Sequence, residues 1–363
     1  MHSLGIEAAS TPSVMPSKAT AFFAALALVT ILPLLLLPLI GGYLPQNMNV
    51  PILVIWIAAG FSHVMATTWF GLDSDYREVV SAHPFRMMGS FVLAPMALML
   101  VVMTSSSISG WVFMTYMIWQ SHHYNRQNYG IMSFAAAHDG TGPLPPQINW
   151  ILHLTTAAGA MIMGSMPAIY GPGADLPWLV TAVPHEAWQA VETVCLVAAT
   201  ALALHVVATN AVVRRSPVLL LFLGLSLAFY LPGLLFPNSP VTGFWPYAMA
   251  HGAQYLVIMS VTAGRSQRGL AGMVIFMLLA AVLGVTAYMM RGVPWAAMYS
   301  GIVVWHFLAD ARLWRLRDPV VRSIVRKRFD FVFSSPRATR TSGGFEPVHA
   351  ARAGGLLPAF STE

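Results

Sequence analysis

The chain has 363 residues, of which 57% are hydrophobic and only 9% are charged. An ordinary soluble domain carries about 25% charged residues, so this composition excludes a typical water-soluble globular protein. The net charge of +6 comes from basic residues that punctuate the ends of apolar runs, which argues against the single basic patch of a nucleic-acid-binding protein. We therefore expect the lipid bilayer as a partner, and no nucleic acid.

Apolar runs of about 20 residues, the length that crosses a bilayer, recur along the chain. They are continuous and rich in Leu, Ala, Met and Val, whereas the strands of a membrane β-barrel alternate in polarity. The predicted fold class is therefore all-α, a polytopic transmembrane helical bundle of about ten spans. In chain order, the predicted spans are residues 20–43, 51–72, 87–105, 109–131, 148–170, 185–212, 217–236, 242–264, 269–290 and 294–314.

Charge asymmetry between the connections predicts the orientation of these spans. Cytoplasmic connections retain Lys and Arg, and an even number of spans places both termini on one side. We expect both termini to be cytoplasmic and the protein to be a multi-pass protein of the inner (cytoplasmic) membrane. Basic residues concentrate in alternate connections and in the C-terminal tail, at Arg77, Arg86, Arg214, Arg215, Arg265, Arg268 and residues 315–328, whereas the intervening connections carry only Arg291.

The domain organisation follows from the same patterns. The N-terminus (residues 1–17) and the tail (332–363) have little apolar periodicity and are predicted to be disordered. The transmembrane domain covers residues 18–316, and residues 317–331 are predicted to form a basic juxtamembrane helix.

Seven of the twelve histidines lie inside or at the edges of the predicted spans, at overlapping distances from the cytoplasmic helix ends. Ionisable side chains in hydrocarbon are costly, so they are site candidates by default. Imidazole is the commonest protein ligand for metals such as Fe and Cu, and facing helices of a bundle build metal sites. For each histidine, the alternative is a core imidazole that hydrogen-bonds to a neighbouring helix. The predicted metal ligands are His63, His122, His123, His153, His205, His251 and His306.

Two of the predicted spans carry further candidates beside a histidine. In WHFLADARLW, Asp310 lies one turn after His306 and could orient the imidazole or act as an oxygen ligand. A pairing of Asp310 with Arg312 is the alternative. In AHGAQYL, Tyr255 lies one turn after His251. We predict Asp310 and Tyr255 as catalytic residues.

The segment WQSHHYNRQNYG is the most polar stretch within a predicted span. One helical face carries His122 and Arg126, and the next carries His123 and Gln127, so both histidines face protein only if this helix is central. Arg126 is then predicted to act in the site, by holding a polar or anionic head group. The alternative is that the bilayer ends near Ser121 and the segment lies in the interface.

Glu192 is the only carboxylate predicted to lie deep in a span, and it suits a proton relay or a second metal ligand. His205 lies thirteen residues later and points to about the opposite side of the helix, so the two cannot simply converge. The single cysteine, Cys195, excludes a thiolate metal cage within one chain.

At AHGAQYL and WHFLADARLW, the chain resembles the Brp/Blh family of membrane carotene dioxygenases, with His251 and His306 in the positions of that family's iron-binding histidines. The residue before His251 is Ala250, where that family has Pro. The pair His122 and His123 is similar to the paired copper ligands of haem-copper oxidases. More broadly, the chain resembles His-rich polytopic bacterial membrane proteins.

The function predicted from these features is a metal-dependent, oxygenase-like oxidoreductase with Fe or Cu held by histidines in the cytoplasmic half, acting on a lipophilic small molecule. Haem binding is a variant of this prediction. A transporter for a metal ion or a proton-coupled solute, with the histidines as a relay, is the second hypothesis. A non-catalytic membrane subunit is the third. The sequence does not indicate an oligomeric state.

Overall fold

The structure is a computed structural model that describes residues 17–41, 60–104, 106–170, 175–289 and 293–333. Every regular element in these ranges is helical, which agrees with the predicted all-α class. Most of the two termini predicted to be disordered, and the first part of the predicted span 51–72, lie outside the described residues.

The first half of the chain contains the longest helix and a strongly broken segment. A 3-10 turn (Ser74–Tyr76) and a π-helical turn (Phe85–Gly89) interrupt the helices around residues 62–104, and a second 3-10 turn covers Pro167–Tyr170. The α-helices in this half are α1 (Lys18–Gly41), α2 (Ser62–Ala66), α3 (Trp69–Leu72), α4 (Arg77–Ala82), α5 (Ser90–Thr104), α6 (Ser106–Asp139) and α7 (Pro146–Ser165).

The second half contains both long and very short helices. The α-helices here are α8 (Trp178–Ala182), α9 (His185–Thr209), α10 (Ala211–Arg214), α11 (Pro217–Ala228), α12 (Leu231–Leu235), α13 (Pro240–Gly243), α14 (Trp245–Gly264), α15 (Gly269–Met289), α16 (Val293–Leu313), α17 (Pro319–Arg328) and α18 (Asp330–Phe333).

Side-chain caps set several of these boundaries. The Asn210 side chain accepts hydrogen bonds from the backbone N–H groups of Val212 and Val213, which begins α10. The Ser216 hydroxyl accepts from the N–H of Leu219 at 3.1 Å and donates to Asp139, so it begins α11 and ties that helix to the end of α6. Capping side chains satisfy backbone donors that have no partner within the helix.

Three described helices are long and apolar enough to cross a membrane, namely Lys18–Leu39, His185–Thr209 and Pro217–Leu235. A bent pair, Ser74–Ala82 with Phe85–Val101, makes a fourth if its two arms, inclined at 98°, form one span. By this criterion, the predicted number of ten spans is not supported. The apolar helices are compatible with a membrane protein.

Helix α9 has an exposed apolar face and a buried face. Exposed apolar side chains of this size on an outer face are typical of contact with lipid or a partner rather than with water. The opposite face packs into the bundle, mainly against α7. The exposed stripe consists of Val191, Val194, Val197 and Leu204, and the buried stripe of Glu192, Leu196, Ala199, Ala203 and Val206.

The short helix α2 lies at the centre of one part of the bundle, where it contacts α14, α15 and α16. Helix α16 in turn packs against α5 and α6. At Gly301, a Cβ atom would meet the backbone of Pro95, so glycine permits the close approach of α16 and α5. This packing brings four separate helices to one point, which is where the candidate site lies.

Candidate metal centre

Four imidazoles from four helices form a ring within the bundle. His63 comes from α2, His123 from α6, His251 from α14 and His306 from α16. Neighbouring ring centroids are 5.1 Å apart for His63 and His251, 5.0 Å for His251 and His123, 5.0 Å for His123 and His306, and 5.3 Å for His306 and His63. Each imidazole therefore has two of the others as direct neighbours.

Two overlapping groups within this ring have the spacing of metal ligands. His63, His251 and His306 each offer a ring nitrogen, and these three atoms lie within 4.8 Å of one another. His123, His306 and Asp310 form a second group with the same limit. Metal–nitrogen bonds of about 2.0–2.1 Å require ligand atoms closer than this, so small side-chain shifts would close either group around one ion. His306 belongs to both groups.

A hydrogen-bonded chain links His306 to Asp310. The Tyr255 hydroxyl lies 2.8 Å from Oδ1 of Asp310 and 2.9 Å from the Thr67 hydroxyl, which in turn lies 2.6 Å from Nδ1 of His306. When Asp310 is ionised, Tyr255 donates to it, Thr67 donates to Tyr255, and Nδ1 of His306 donates to Thr67. In that arrangement Nε2 of His306 carries the lone pair. This is how outer residues orient histidine ligands in metal sites.

Several nitrogens of the ring have no hydrogen-bond partner among the described residues. They are Nε2 of His123, Nε2 of His306 and both ring nitrogens of His251. His251 and His306 are 0% exposed, and a buried polar atom without a partner costs about 1–3 kcal/mol. The alternative of a core imidazole bonded to a backbone carbonyl does not describe these two side chains, because His251 has no such bond and His306 bonds Thr67. A bound cation would use one of these nitrogens on each ring, because a neutral imidazole has a single nitrogen lone pair.

Asp310 faces the histidines rather than the end of its helix. Its Oδ2 lies 3.7 Å from Nε2 of His306 and 3.9 Å from Nε2 of His123. Arg312, the alternative partner considered from the sequence, pairs with Asp318 at 2.8 Å. The carboxylate of Asp310 is therefore placed to act as an oxygen ligand or as a hydrogen-bond acceptor beside the imidazoles.

Amide side chains hold α6 in register with α14. The Gln127 amide donates to the carbonyl oxygen of His251 at 3.0 Å and to Oε1 of Gln254 at 2.8 Å. Gln254 in turn donates to the Thr30 hydroxyl of α1 at 2.7 Å. Because Gln127 is one turn after His123, this network sets the position of His123 relative to His251. The His123 ring also stacks on Phe307, with centroids 4.3 Å apart.

A cavity of about 700 Å³ reaches the ring from the side of His123 and Asp310. Tyr255 also lines the cavity, whereas His63, His251 and His306 are not among its lining residues. The cavity thus offers an approach to one side of the candidate metal centre. Its volume lies within the range of roughly 300–1,000 Å³ that is typical of small-molecule sites.

Three of the predicted metal ligands lie apart from the ring. His122 lines the cavity and stacks in parallel with His153, with centroids 6.4 Å apart. His153 is exposed, and so is His205 on α9. Neither belongs to the two groups with metal-ligand spacing in the described part of the chain. Adjacent residues of a helix point about 100° apart, which is why His123 faces the ring and His122 does not.

The remaining predicted residues divide between the cavity and a separate buried position. Arg126 is exposed and lines the cavity, so it lies near the site without touching the imidazole ring. Glu192 is 0% exposed in α9, where the Ser165 hydroxyl donates to its Oε2 at 3.4 Å and Oε1 has no partner in the described structure. It does not join the histidines.

Sequence reasoning missed Thr67, although a signal for it exists. In SHVMATTW, Thr67 follows His63 by four residues, which places both side chains on one face of a helix. His63 is itself engaged within the site, where its ring packs edge-on against Tyr255 with centroids 6.0 Å apart. The face that presents the histidine therefore also supplies the hydroxyl that orients His306.

A buried charge cluster fixes the segment that follows α2. The guanidinium of Arg328, at the end of α17, bonds Asp73 at 2.9 Å and Asp75 at 2.6 Å, and it also donates to the carbonyl oxygen of Thr262 in α14. Trp69 donates to Asp73 at 3.3 Å. Helix α17 thus ties the chain after His63 to the helix of His251.

Comparison of the chain with protein-family models, with curated proteins and with solved structures finds no match. The resemblance to the membrane carotene dioxygenases therefore stays a prediction that rests on the short segments around His251 and His306.

Proposed function

We propose that the protein is an integral membrane metal-dependent oxidoreductase, oxygenase-like, that binds Fe or Cu at the histidine ring and acts on a lipid-soluble substrate. The single observation that carries this proposal is the convergence of four imidazoles from four helices, with unpaired and buried nitrogens on His251 and His306. Such nitrogens cost stability unless a ligand uses them.

Some residues of the site would bind the metal, and others lie where the substrate would approach it. His63, His251 and His306 would hold the metal from within the bundle, since their ligand atoms form one of the close groups. His123 and Asp310 lie on the side that the cavity reaches, so dioxygen and the substrate would approach there. A redox metal supplies the oxygen chemistry that amino-acid side chains lack. Tyr255, bonded to both Thr67 and Asp310, is placed to hold or move a proton at Asp310 Oδ1.

We further propose the finer topology, with about ten crossings, both termini in the cytoplasm and the site in the cytoplasmic half of the inner membrane. The alternation of basic connections supports this arrangement. Helices occur at or near each predicted span from residue 87 onward, although most are shorter or less apolar than an isolated span requires. Neighbouring helices can satisfy the polar groups of broken segments inside a membrane protein.

Metal analysis of the protein purified in neutral detergent tests the proposal. We expect about one Fe or Cu per chain, and loss of that metal in His251→Ala and His306→Ala. His153→Ala and His205→Ala are matched controls, because both histidines are exposed and outside the ring. An absorption spectrum separates haem from a metal held directly by histidines. Folded protein that takes up neither Fe nor Cu would refute the proposal and leave a proton-coupled transporter or a non-catalytic subunit.

One observation favours a transporter as a second candidate. Glu192 is a buried carboxylate in one of the three apolar helices that can cross a membrane, and its Oε1 has no partner among the described residues. Buried acids in such helices often mark ion or proton pathways. Proteoliposomes decide between the two ideas, because metal uptake or proton flux that Glu192→Gln abolishes would support transport.

A further inference from the structure

Three arginines surround the cavity that reaches the candidate metal centre. Arg126 is on α6, and Arg315 and Arg317 follow the end of α16. All three are exposed. Arg315 and Arg317 begin the basic run 315–328, whereas Arg126 is far from them in sequence, so the fold brings Arg126 to the same cavity.

The arginines have no acidic partner in the part of the chain that the structure describes. The ion pairs there use Arg265, Arg312, Lys327 and Arg328 instead. Arg126 lies over the ring of Tyr129, with its guanidinium carbon 5.1 Å from the ring centroid, which leaves its N–H groups available. Among the residues that line the cavity, Asp310 at the inner end is the one carboxylate.

Apolar and polar side chains both line the rest of the cavity. Trp119, Ile131, Ile258, Phe307 and Leu308 supply apolar surface, and Gln127, Ser133 and Asn149 supply polar groups. The cavity thus combines three exposed arginines, an apolar surface and residues of the candidate metal centre. A ligand that matches all three parts has an anionic head and a hydrocarbon chain.

We propose that this cavity binds a single-chain amphiphile with a carboxylate head, of the fatty-acid class, as the substrate of the metal centre. This inference rests on the proposed function. The head group would lie at Arg126, Arg315 and Arg317, and the chain would run inward past His123 to Asp310. Arg315 is five residues after Asp310, just beyond the end of α16, so the metal would face carbons near the head.

The proposal commits to a carboxylate rather than a phosphate head. A phosphate monoester carries about −1.5 to −2 charge near neutral pH and a carboxylate carries −1. The more highly charged head gains more from the arginines and is repelled more by Asp310, which lines the same cavity, so a phosphate probe belongs in the test. The competing explanation is that the arginines only orient the protein in the membrane, which predicts no preference for an acid over an alcohol of equal length.

Quenching of tryptophan fluorescence by brominated amphiphiles tests the inference, since Trp119 and Trp314 both line the cavity. The probes are brominated palmitic acid, the corresponding palmityl alcohol and palmityl phosphate, added to the purified full-length protein in neutral detergent. We expect the acid to bind at least about tenfold more tightly than the alcohol, which corresponds to one charge-assisted hydrogen bond. Equal affinities of the acid and the alcohol, or tighter binding of the phosphate, would overturn the inference.

The double variant Arg126→Gln with Arg315→Gln should lose the preference for the acid. The matched control is Arg322→Gln with Arg326→Gln, which removes the same charge from exposed positions of α17 outside the cavity. An equal loss of preference in both double variants would also overturn the inference. Metal titration of the same preparation separates the two proposals. A protein that takes up neither Fe nor Cu but prefers the acid contradicts only the metal centre, and a metal-loaded protein without this preference contradicts only the fatty-acid substrate.

Discussion

Oγ1 of Thr67 lies 2.6 Å from Nδ1 of His306, so that nitrogen is engaged and Nε2 is the nitrogen available to a metal. Thr67 is in turn 2.9 Å from the Tyr255 hydroxyl, which bonds Asp310. When Asp310 is ionised, each group of this chain donates toward the carboxylate. The fold thereby favours an unprotonated Nε2 on His306.

Thr67→Val should weaken metal binding by about 10–100-fold, the usual effect of removing a residue that orients a metal-bound histidine. The valine has nearly the same shape, but it cannot accept the proton of His306 Nδ1. Metal titration of the apoprotein measures the change. Thr67→Ser is the control, because its hydroxyl can keep the bond. Unchanged affinity in the valine variant would show that the tautomer is not set by Thr67.

Tyr255→Phe should lower the free energy of unfolding by about 1–3 kcal/mol, because it removes the donor to the buried Asp310 carboxylate. Tyr247→Phe is a matched control, since the Tyr247 hydroxyl is buried and has no partner among the described residues. We expect this control to be neutral or slightly stabilising. Denaturant unfolding in detergent measures the free energy of unfolding of both variants. If both lose a similar amount, the hydrogen bond from Tyr255 to Asp310 does not contribute to stability as we propose.

Arg328→Met should be strongly destabilising, by about 3–5 kcal/mol, since it leaves Asp73 buried without its counter-ion. Lys327→Met tests the same helix at an exposed residue whose amino group lies 3.5 Å from Asp75, and we expect a change below about 1 kcal/mol. Thermal unfolding and metal content should be measured together. If the Arg328 variant keeps its stability, the charge cluster does not hold α17 in place.

Acid should selectively weaken the start of α17. Hydrogen bonds from the backbone N–H groups of Val321 and Val320 hold the pKa of Asp318 below its ordinary value of 3.8, with help from the charge of Arg312. A group with a lowered pKa contributes stability above its unfolded value, and this contribution is lost as the pH falls through the folded value. The stability difference between the wild type and Asp318→Asn should therefore shrink from neutral pH into acid. A difference that is constant with pH would contradict this role.

How much of the site could be predicted depends on whether a residue's role is local or long-range. The sequence identified all four imidazoles of the ring as candidates, namely His63, His123, His251 and His306. An ionisable side chain within an apolar run costs free energy, and this makes it a candidate without any structure. His122 stood out equally, yet the rotation between adjacent residues turns it toward His153. The rotation of a helix about its axis depends on the helices that pack against it, and a single sequence does not identify these.

The same reasoning explains the arginines and the spans. Arg315 reads as a topology signal in the sequence, and only the fold places it at the same cavity as Arg126. Apolar runs predicted helices throughout, but the described residues 60–104 are broken into short pieces around Asp73 and His83. Proline, capping side chains and buried ion pairs end or break helices there. The effect of each depends on the residues packed around it.

The sequence by itself determined the all-helical class, the compatibility with a membrane and the set of candidate imidazoles, because hydrophobicity and the cost of buried polar groups are properties of composition and local pattern. The tertiary structure decided which imidazoles meet, that Asp310 faces them instead of Arg312, and that Thr67 orients His306. These relationships join residues as many as 239 positions apart, and only the packing of α2, α6, α14 and α16 fixes such distances.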